Sequence, residues 1–353
     1  ENEDWAYVAV QDGKVRSCLA FFASERNVIR GNPIRFAGVW GVATEPHYRK
    51  KGMLREIYEK VFPRMHKEGI VLSILDPFFP PFYEKFGYAC AESRMKHTFK
   101  HDNLRKVKGK SDISTREIED VSEAEKVYEV QKSMARFGSR VFFMKRTLES
   151  KIKSSHYHIL ERKGEPVGEI KFHFKKRSGW TPDLRIDTTS YTSLDVFPSI
   201  VELVSQYSIN VNEVEWYCDP EVPVSYYMKD IEDAPKTPVG RMMMRVINFT
   251  EYCANIRVPE AAAKPVIVEI VDDDCEWNSG VYRLTPTSGT LEAEIVTSQP
   301  EIKLDALQLS KTISGLTPPT LLHGLGSIDC SRSTAENLES IFPAESFVSY
   351  IRF

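Results

Sequence analysis

"TEPHYRKKGML", residues 44–54, sets His47, Arg49, Lys50 and Lys51 around one glycine, Gly52, with Arg55 just beyond. Upstream, "RFAGVWGVAT" (35–44) is a short apolar run behind a turn-like "GNP", and it reads as a buried strand. Downstream, Met53, Leu54, Ile57, Tyr58, Val61, Phe62 and Met65 recur at helical spacing, while Glu56, Glu59, Lys60 and Lys67 take the other face. Pro63 inside that pattern is expected to kink or shorten the helix. After Gly69, "IVLSIL" (70–75) reads as a second buried strand, so the order is strand, basic glycine loop, helix, strand. That order gives the charge a mechanism. The first turn of a helix has unpaired backbone N–H groups and a partial positive charge, and a glycine lets an anion such as phosphate approach the backbone. Arg49, Lys50 and Lys51 would add charge-assisted contacts. A solvated basic turn has the same composition, which by itself does not separate the two.

The next stretch, "LDPFFPPFYEKFGYACAE" (75–92), ends the second strand at its prolines and continues as a short aromatic helix closing on Gly87. Those aromatics fit a core equally well. Combined with the loop, they place a phenol, Tyr83, just past the strand end, the edge where open sheets bind ligands.

The chain has 353 residues, 42% hydrophobic and 27% charged, a soluble globular composition long enough for two or three domains. A formal net charge of -3 supplies no global field for nucleic acid or an anionic membrane, so anion binding has to be local. No apolar run reaches the roughly 20 residues that cross a bilayer. Six cysteines (Cys18, Cys90, Cys218, Cys253, Cys275, Cys330) lie scattered without a C-x-x-C pair, which argues against a zinc site and a disulfide framework and points to a reducing cytoplasm.

"VATEPHYRKKGML" followed by "FYEKFGY" resembles the GNAT acyltransferase superfamily, and within it the Eis-like (enhanced intracellular survival) acetyltransferases. The resemblance implies that the R-x-x-G loop holds the pyrophosphate of acetyl-CoA. Val42, Ala43 and Thr44 would then flank the pantetheine and acetyl group, and Lys50, Lys51, Gly52, Met53, Leu54 and Arg55, with Arg49, would cradle the phosphates. Leu54 departs from the small residue of most GNAT loops and matches the apolar residue common in Eis-like ones. The resemblance also implies a strand and helices ahead of the hairpin "WAYVAVQDGKVRSCLAFF" (5–22), which turns at Asp12-Gly13. The present sequence lacks them, so part of the first domain, including acceptor-pocket wall, is expected to be missing or altered.

Beyond residue 100 the resemblance is architectural. "HDNLRKVKGKSDISTRE" (101–117) is charged and aperiodic, a linker or domain-edge strand. "DVSEAEKVYEVQKSMARFG" (120–138) reads as a helix, and "HYHILERKGEPVGEIKFHF" (156–174) as a hairpin with a glycine turn. "LRIDTTSYT", "VFPSIVELVSQYS" and "VNEVEWYC" repeat the strand, helix, strand order without an R-x-x-G, so this unit looks like a degenerate acetyltransferase fold that does not hold CoA by that route. His156 and His158 alternate on one strand; with no third ligand in view they read as structural, and no metal is expected. From about residue 248, short strands "KPVIVEIVDDD", "GVYRLTP" and "TLEAEIV" precede helical "LDALQLSKTISG" and "STAENLESIF", resembling the sterol-carrier-protein-like domain of Eis-like chains. Acidic "DDDCE" (272–276) lacks calcium-loop spacing and reads as a solvated turn. The expected fold is α/β (α+β): a catalytic GNAT domain over 1–106, a degenerate GNAT-like domain over 107–247 and a sterol-carrier-protein-like domain over 248–353.

Acetyl transfer needs an amine that loses a proton, a polarised carbonyl and a protonated leaving thiolate. A phenol with pKa about 10 can supply the last proton, and an α-carboxylate with pKa about 3.5 can accept one, directly or through water. The strand-like ending "SFVSYIRF" is expected to be tied into the fold, and Eis-like relatives imply that the terminal carboxylate reaches the first domain's active site. Tyr83 is therefore read as the acid and the Phe353 carboxylate as the base, with Glu45 the alternative base. The resemblance implies a small-molecule amine acceptor (aminoglycoside, polyamine or lysine-type), a ternary complex, and a homo-oligomer of which a hexamer is one form. The competing reading is a non-catalytic lipid- or small-molecule-binding protein with a vestigial first domain; the intact "RKKG" and Tyr83 weigh against it.

Overall fold

The computed structural model describes residues 4–25, 27–134, 139–141, 152, 154–176, 180–262, 264–345 and 347–350. The chain divides into two compact units, Glu1–Glu92 with Phe137–Val141 and Arg241–Phe353, and Ser93–Arg136 with Phe142–Gly240. The domain boundaries expected at 106/107 and 247/248 differ from these cuts. Backbone pairing accounts for the difference, as the two strands nearest those boundaries show below.

The first unit opens with the hairpin of β1 (Asp4–Gln11) and β2 (Lys14–Ser24). Asp12 and Gly13 both have positive φ, 53° and 70°, the two-residue turn that matches strand twist. After β3 (Asn27–Val28) come β4 (Phe36–Thr44), helix α1 (Met53–Lys67), β5 (Leu72–Leu75), the short helix α2 (Pro80–Glu84) and β6 (Ala89–Cys90). Helix α1 runs through Pro63 to Lys67 without the expected break. Pro63 lies on the exposed face, while its neighbours Phe62 and Met65 are fully buried and hold the helix on the sheet.

The strand just before residue 106 belongs to the second unit's sheet, and the strand just before residue 247 completes the first unit's. β7 (Met95–Phe99), β8 (Ile113–Glu117), β10 (His156–Arg162), β11 (Glu165–Lys175), β12 (Asp183–Tyr191), β13 (Val214–Cys218) and β14 (Lys236–Pro238) make the second unit's sheet in the order β14-β7-β13-β12-β11-β10-β8. Among the described residues its helices include α3 (Ala124–Ser133) and α4 (Phe197–Tyr207); α4 crosses between the parallel strands β12 and β13. β15 (Met243–Val246), by contrast, enters the first sheet antiparallel to β5 and β6, giving the order β1-β2-β4-β5-β15-β6.

The rest of the first unit is a sheet of β16 (Val266–Val271), β17 (Gly280–Thr287), β18 (Thr290–Ile295) and β19 (Ile302–Asp305) with helices α5 (Phe249–Asn255), α6 (Ala306–Ser314), α7 (Pro319–Gly324) and α8 (Arg332–Ile341). A capping box between Asp305 and Gln308 starts α6, and Gly315 at φ 78° ends it. β9 (Ser139–Val141) lies between β3 and the last strand, β20 (Phe347–Ser349). Among the described residues no helix is long and apolar enough to cross a membrane.

The acidic turn expected to be solvated is so at Asp273 and Glu276, which are exposed, but not at Asp272, which is core. Asp272 and Arg245 are each 1% exposed and paired at 2.7 Å. Arg245 also donates to the Phe86 and Val246 carbonyls, and Asp272 accepts from the Cys275 N–H and the Asn278 amide. A turn charge survives burial only when so paired, and its cation comes from β15, a partner no local spacing announces.

Candidate functional site

The site grows out of the way β4 outruns β5. The two strands pair in parallel from Phe36↔Leu72 to Val39↔Leu75, where β5 stops and Asp76-Pro77 begins. β4 continues to Thr44, paired on its other side with β2 through Cys18↔Ala43 and Ser17↔Thr44. A register shift between Cys18 and Ala20, opposite Gly41 at φ 63°, bends it there. The strands therefore part, and Val42, Ala43 and Thr44 border the gap. A strand edge that loses its partner is a ready template for an extended ligand carrying amide groups.

The basic loop closes one end of that gap. Pro46–Tyr48 form a single 3₁₀ turn, Lys50 has φ 62° and Gly52 φ 84°. Gly52 is the N-cap of α1 and gives it no side-chain cap; the first backbone bond of the helix is Glu56 N–H to Gly52 O at 3.1 Å. The N–H groups of Met53, Leu54 and Arg55 precede that bond at the positive end of the helix. Arg49, Lys50 and Lys51 are exposed beside them. Arg49 Nε donates to the Thr44 carbonyl at 3.2 Å, and Lys51 lies 4.6 Å above the Tyr48 ring. The Arg55 side chain goes elsewhere, to Asp274 at 3.0 Å and the Lys85 carbonyl at 3.1 Å. Leu54 is 8% exposed and packs in the core, and Met53 is half-buried.

Tyr83 sits on α2, 3% exposed, in an aromatic nest of Phe78, Phe82 and Tyr88. Burial, seconded by the Asp76 carboxylate, pushes its phenol up to about 12. Asp76, the residue after β5, accepts from Arg241 Nη2 at 2.7 Å. The Arg241 and Met242 N–H groups donate to buried Glu92, which also accepts from Ser349 N–H of β20. A hydrogen-bonded chain thus runs from the neighbourhood of Tyr83 to the last strand. Phe353, three residues past the last described residue, lies outside the described residues. Glu45 is held by Arg16 at 2.5 Å, so the alternative base has a cation on its carboxylate. Asp76, Glu92 and Arg241 went unread in the sequence; the only local signal is Asp76 standing directly at a strand end.

Comparison with known proteins bears on the fold. Residues 1–91 match the acetyltransferase (GNAT) domain family. Residues 250–348 match the sterol carrier protein domain. A GCN5-related N-acetyltransferase from Anabaena variabilis superposes with a TM-score of 0.87 at 19% identity, covering 99% of this chain and 89% of that one. A second, from Kribbella flavida, gives 0.83 at 20% identity over 98% and 86%. Eis1 from Mycobacterium abscessus gives 0.81 at 14% identity over 99% and 90%. At such identities the likeness is one of fold. No curated protein matches the chain. The chain is a mixed α/β protein that joins a GNAT domain to a sterol-carrier-protein-like domain.

Proposed function

We propose that this protein is an Eis-like N-acetyltransferase that moves an acetyl group from acetyl-CoA to a primary amine in a ternary complex. The observation that carries the reading is the opening between β4 and β5, which ends at a glycine-started, uncapped helix flanked by exposed Arg49, Lys50 and Lys51. The pyrophosphate takes those three cations and the N–H groups of Met53, Leu54 and Arg55; Gly52 keeps the approach open, having nothing within 4 Å of where a Cβ would stand. Arg55 contributes backbone only, since its side chain is engaged with Asp274. The pantetheine arm follows Val42, Ala43 and Thr44, its amides pairing with the strand edge.

The amine attacks the thioester carbonyl carbon, the carbon–sulfur bond breaks, and the electron pair leaves on sulfur. Tyr83 gives that sulfur its proton, and the Phe353 carboxylate takes the one the amine loses. A phenol at about 12 is a weak acid for an ordinary thiolate. A thiolate emerging beside the buried phenol is raised by the same desolvation, which narrows the mismatch. The hydrogen-bonded chain through Asp76, Arg241, Glu92 and Ser349 supports bringing the end of the chain to this reaction. We place the protein in the cytoplasm as a homo-oligomer, with an aminoglycoside, a polyamine or a lysine-type amine as acceptor. The test is release of free thiol from acetyl-CoA in the presence of an amine panel. At least one amine should raise release well above solvent hydrolysis, with the acetylated amine formed in equal amount; no amine-dependent release sinks the reading.

A further inference from the structure

The second unit gathers two histidines and a glutamate that acetyl transfer does not use. β10 pairs with the edge strand β8 so that His158 lies opposite Glu117. His156, two residues away on β10, shares that face of the sheet. One ligand atom from each of the three lies within 4.8 Å of the others. Glu117 Oε1 and His156 Nδ1 are already 2.8 Å apart. The Phe172 ring stacks on both imidazoles, at 5.3 and 5.4 Å, and the Tyr207 ring stands 5.9 and 5.4 Å from them.

His158, like His97 elsewhere in the second unit's sheet, is a buried imidazole without hydrogen-bond partners, and of the two it is the one beside other possible ligands. It is 5% exposed, and neither ring nitrogen has a hydrogen-bond partner. Burying an imidazole with both polar atoms unmet costs free energy that a packed core normally avoids. A plain His156–Glu117 hydrogen bond explains two members of the cluster and leaves the third unexplained. A metal ion engages all three: it takes the His158 lone pair, leaving only that ring's N–H unmet, and replaces the proton shared by Glu117 and His156.

We infer that Glu117, His156 and His158 bind a divalent transition-metal ion, zinc by chemical preference, which pins the edge strand β8 to β10. Two imidazoles and one carboxylate suit zinc over magnesium or calcium, whose shells are all oxygen. Three protein ligands leave the fourth tetrahedral position to water. Zinc holds N and O ligands at about 2.0–2.2 Å, so two of them stand no more than about 4 Å apart. Exposed Glu117 and half-exposed His156 are free to rotate by the difference. The scattered cysteines offer no thiolate zinc site, and in the sequence two alternating histidines are one ligand short. The strand register, joining residues 39 positions apart in sequence, supplies the third.

The test titrates the metal-stripped full chain with Zn²⁺ by calorimetry and with Co²⁺ in the visible range. One equivalent should bind, with weak ligand-field bands and without the intense thiolate charge-transfer band that any of the six free cysteines would produce. Glu117→Ala and His156→Ala remove side chains that the core does not need, and each should raise Kd more than about 100-fold, beyond the loss typical of an outer-shell partner. His158→Ala should abolish binding. The inference is overturned by no stoichiometric binding, by a thiolate band in the Co²⁺ form, or by unchanged affinity in folded Glu117→Ala and His156→Ala proteins.

Discussion

Tyr83 is where burial and chemistry meet most directly. Its hydroxyl is raised from about 10 to about 12 by desolvation and by Asp76, so the acid form is the populated one over the whole working range. The sign is definite: an acid is lost as pH rises through its own pKa, so Tyr83 should produce no fall in kcat/KM between pH 7 and 10. A basic limb near pH 10 that disappears in Tyr83→Phe would show the phenol in an ordinary environment. In that variant acetyl-CoA should still bind while kcat drops about 10²-fold or more, the range for a lost general acid; full turnover would give the proton to another group. The residue type and its place after a strand were legible in the sequence. Its perturbed acidity was not, because burial is set by Phe78, Phe82 and Tyr88 folding around it. Arg55 teaches the converse. Its charge was legible, but Asp274, a residue 219 positions away, claims the guanidinium.

At the scale of elements, β4 and α1 use glycine for opposite reasons. Gly38 has an ordinary strand backbone, yet a Cβ there would overlap the Phe22 ring, which is itself 1% exposed. Gly38→Ala should cost about 1–3 kcal/mol by overpacking, read as a lower urea midpoint. Gly52 has open space around its Cβ and a φ of 84°, so Gly52→Ala meets conformational strain alone, about 1 kcal/mol. Because that strain is relieved by turning the loop, acetyl-CoA affinity by calorimetry should fall in Gly52→Ala. Unchanged affinity in the folded variant would remove this loop from the cofactor site. The period of α1 and the glycine before it were plain from the sequence. The length over which β4 outruns β5 was not, since it depends on where a parallel partner ends.

For the whole molecule, the decisive question is whether the chain's end takes part in chemistry begun near its start. β20 is anchored through Ser349 to Glu92, which binds the backbone leading into β15. One glycine added after Phe353 moves the carboxylate and keeps every side chain; acetylation should fall sharply with acetyl-CoA affinity little changed. Full activity would pass the base's role to Glu45 or to water. The sequence by itself determined the units that repeat locally: the 3.6-residue period of α1, the Asp12-Gly13 and Lys163-Gly164 turns, the alternation of the strands, and the glycine-basic loop that names the acetyltransferase-like domain. Those signals lie within a few residues of one another, so backbone geometry enforces them directly. Tertiary structure alone decided that β15 belongs beside β5, that Asp272 is buried on Arg245, and that Glu117 joins His156 and His158. Each depends on pairing between segments distant in the chain. A charged or strand-forming residue there keeps the same local pattern whatever partner it meets, so only the folded register and the cost of burying unpaired charge select the one observed.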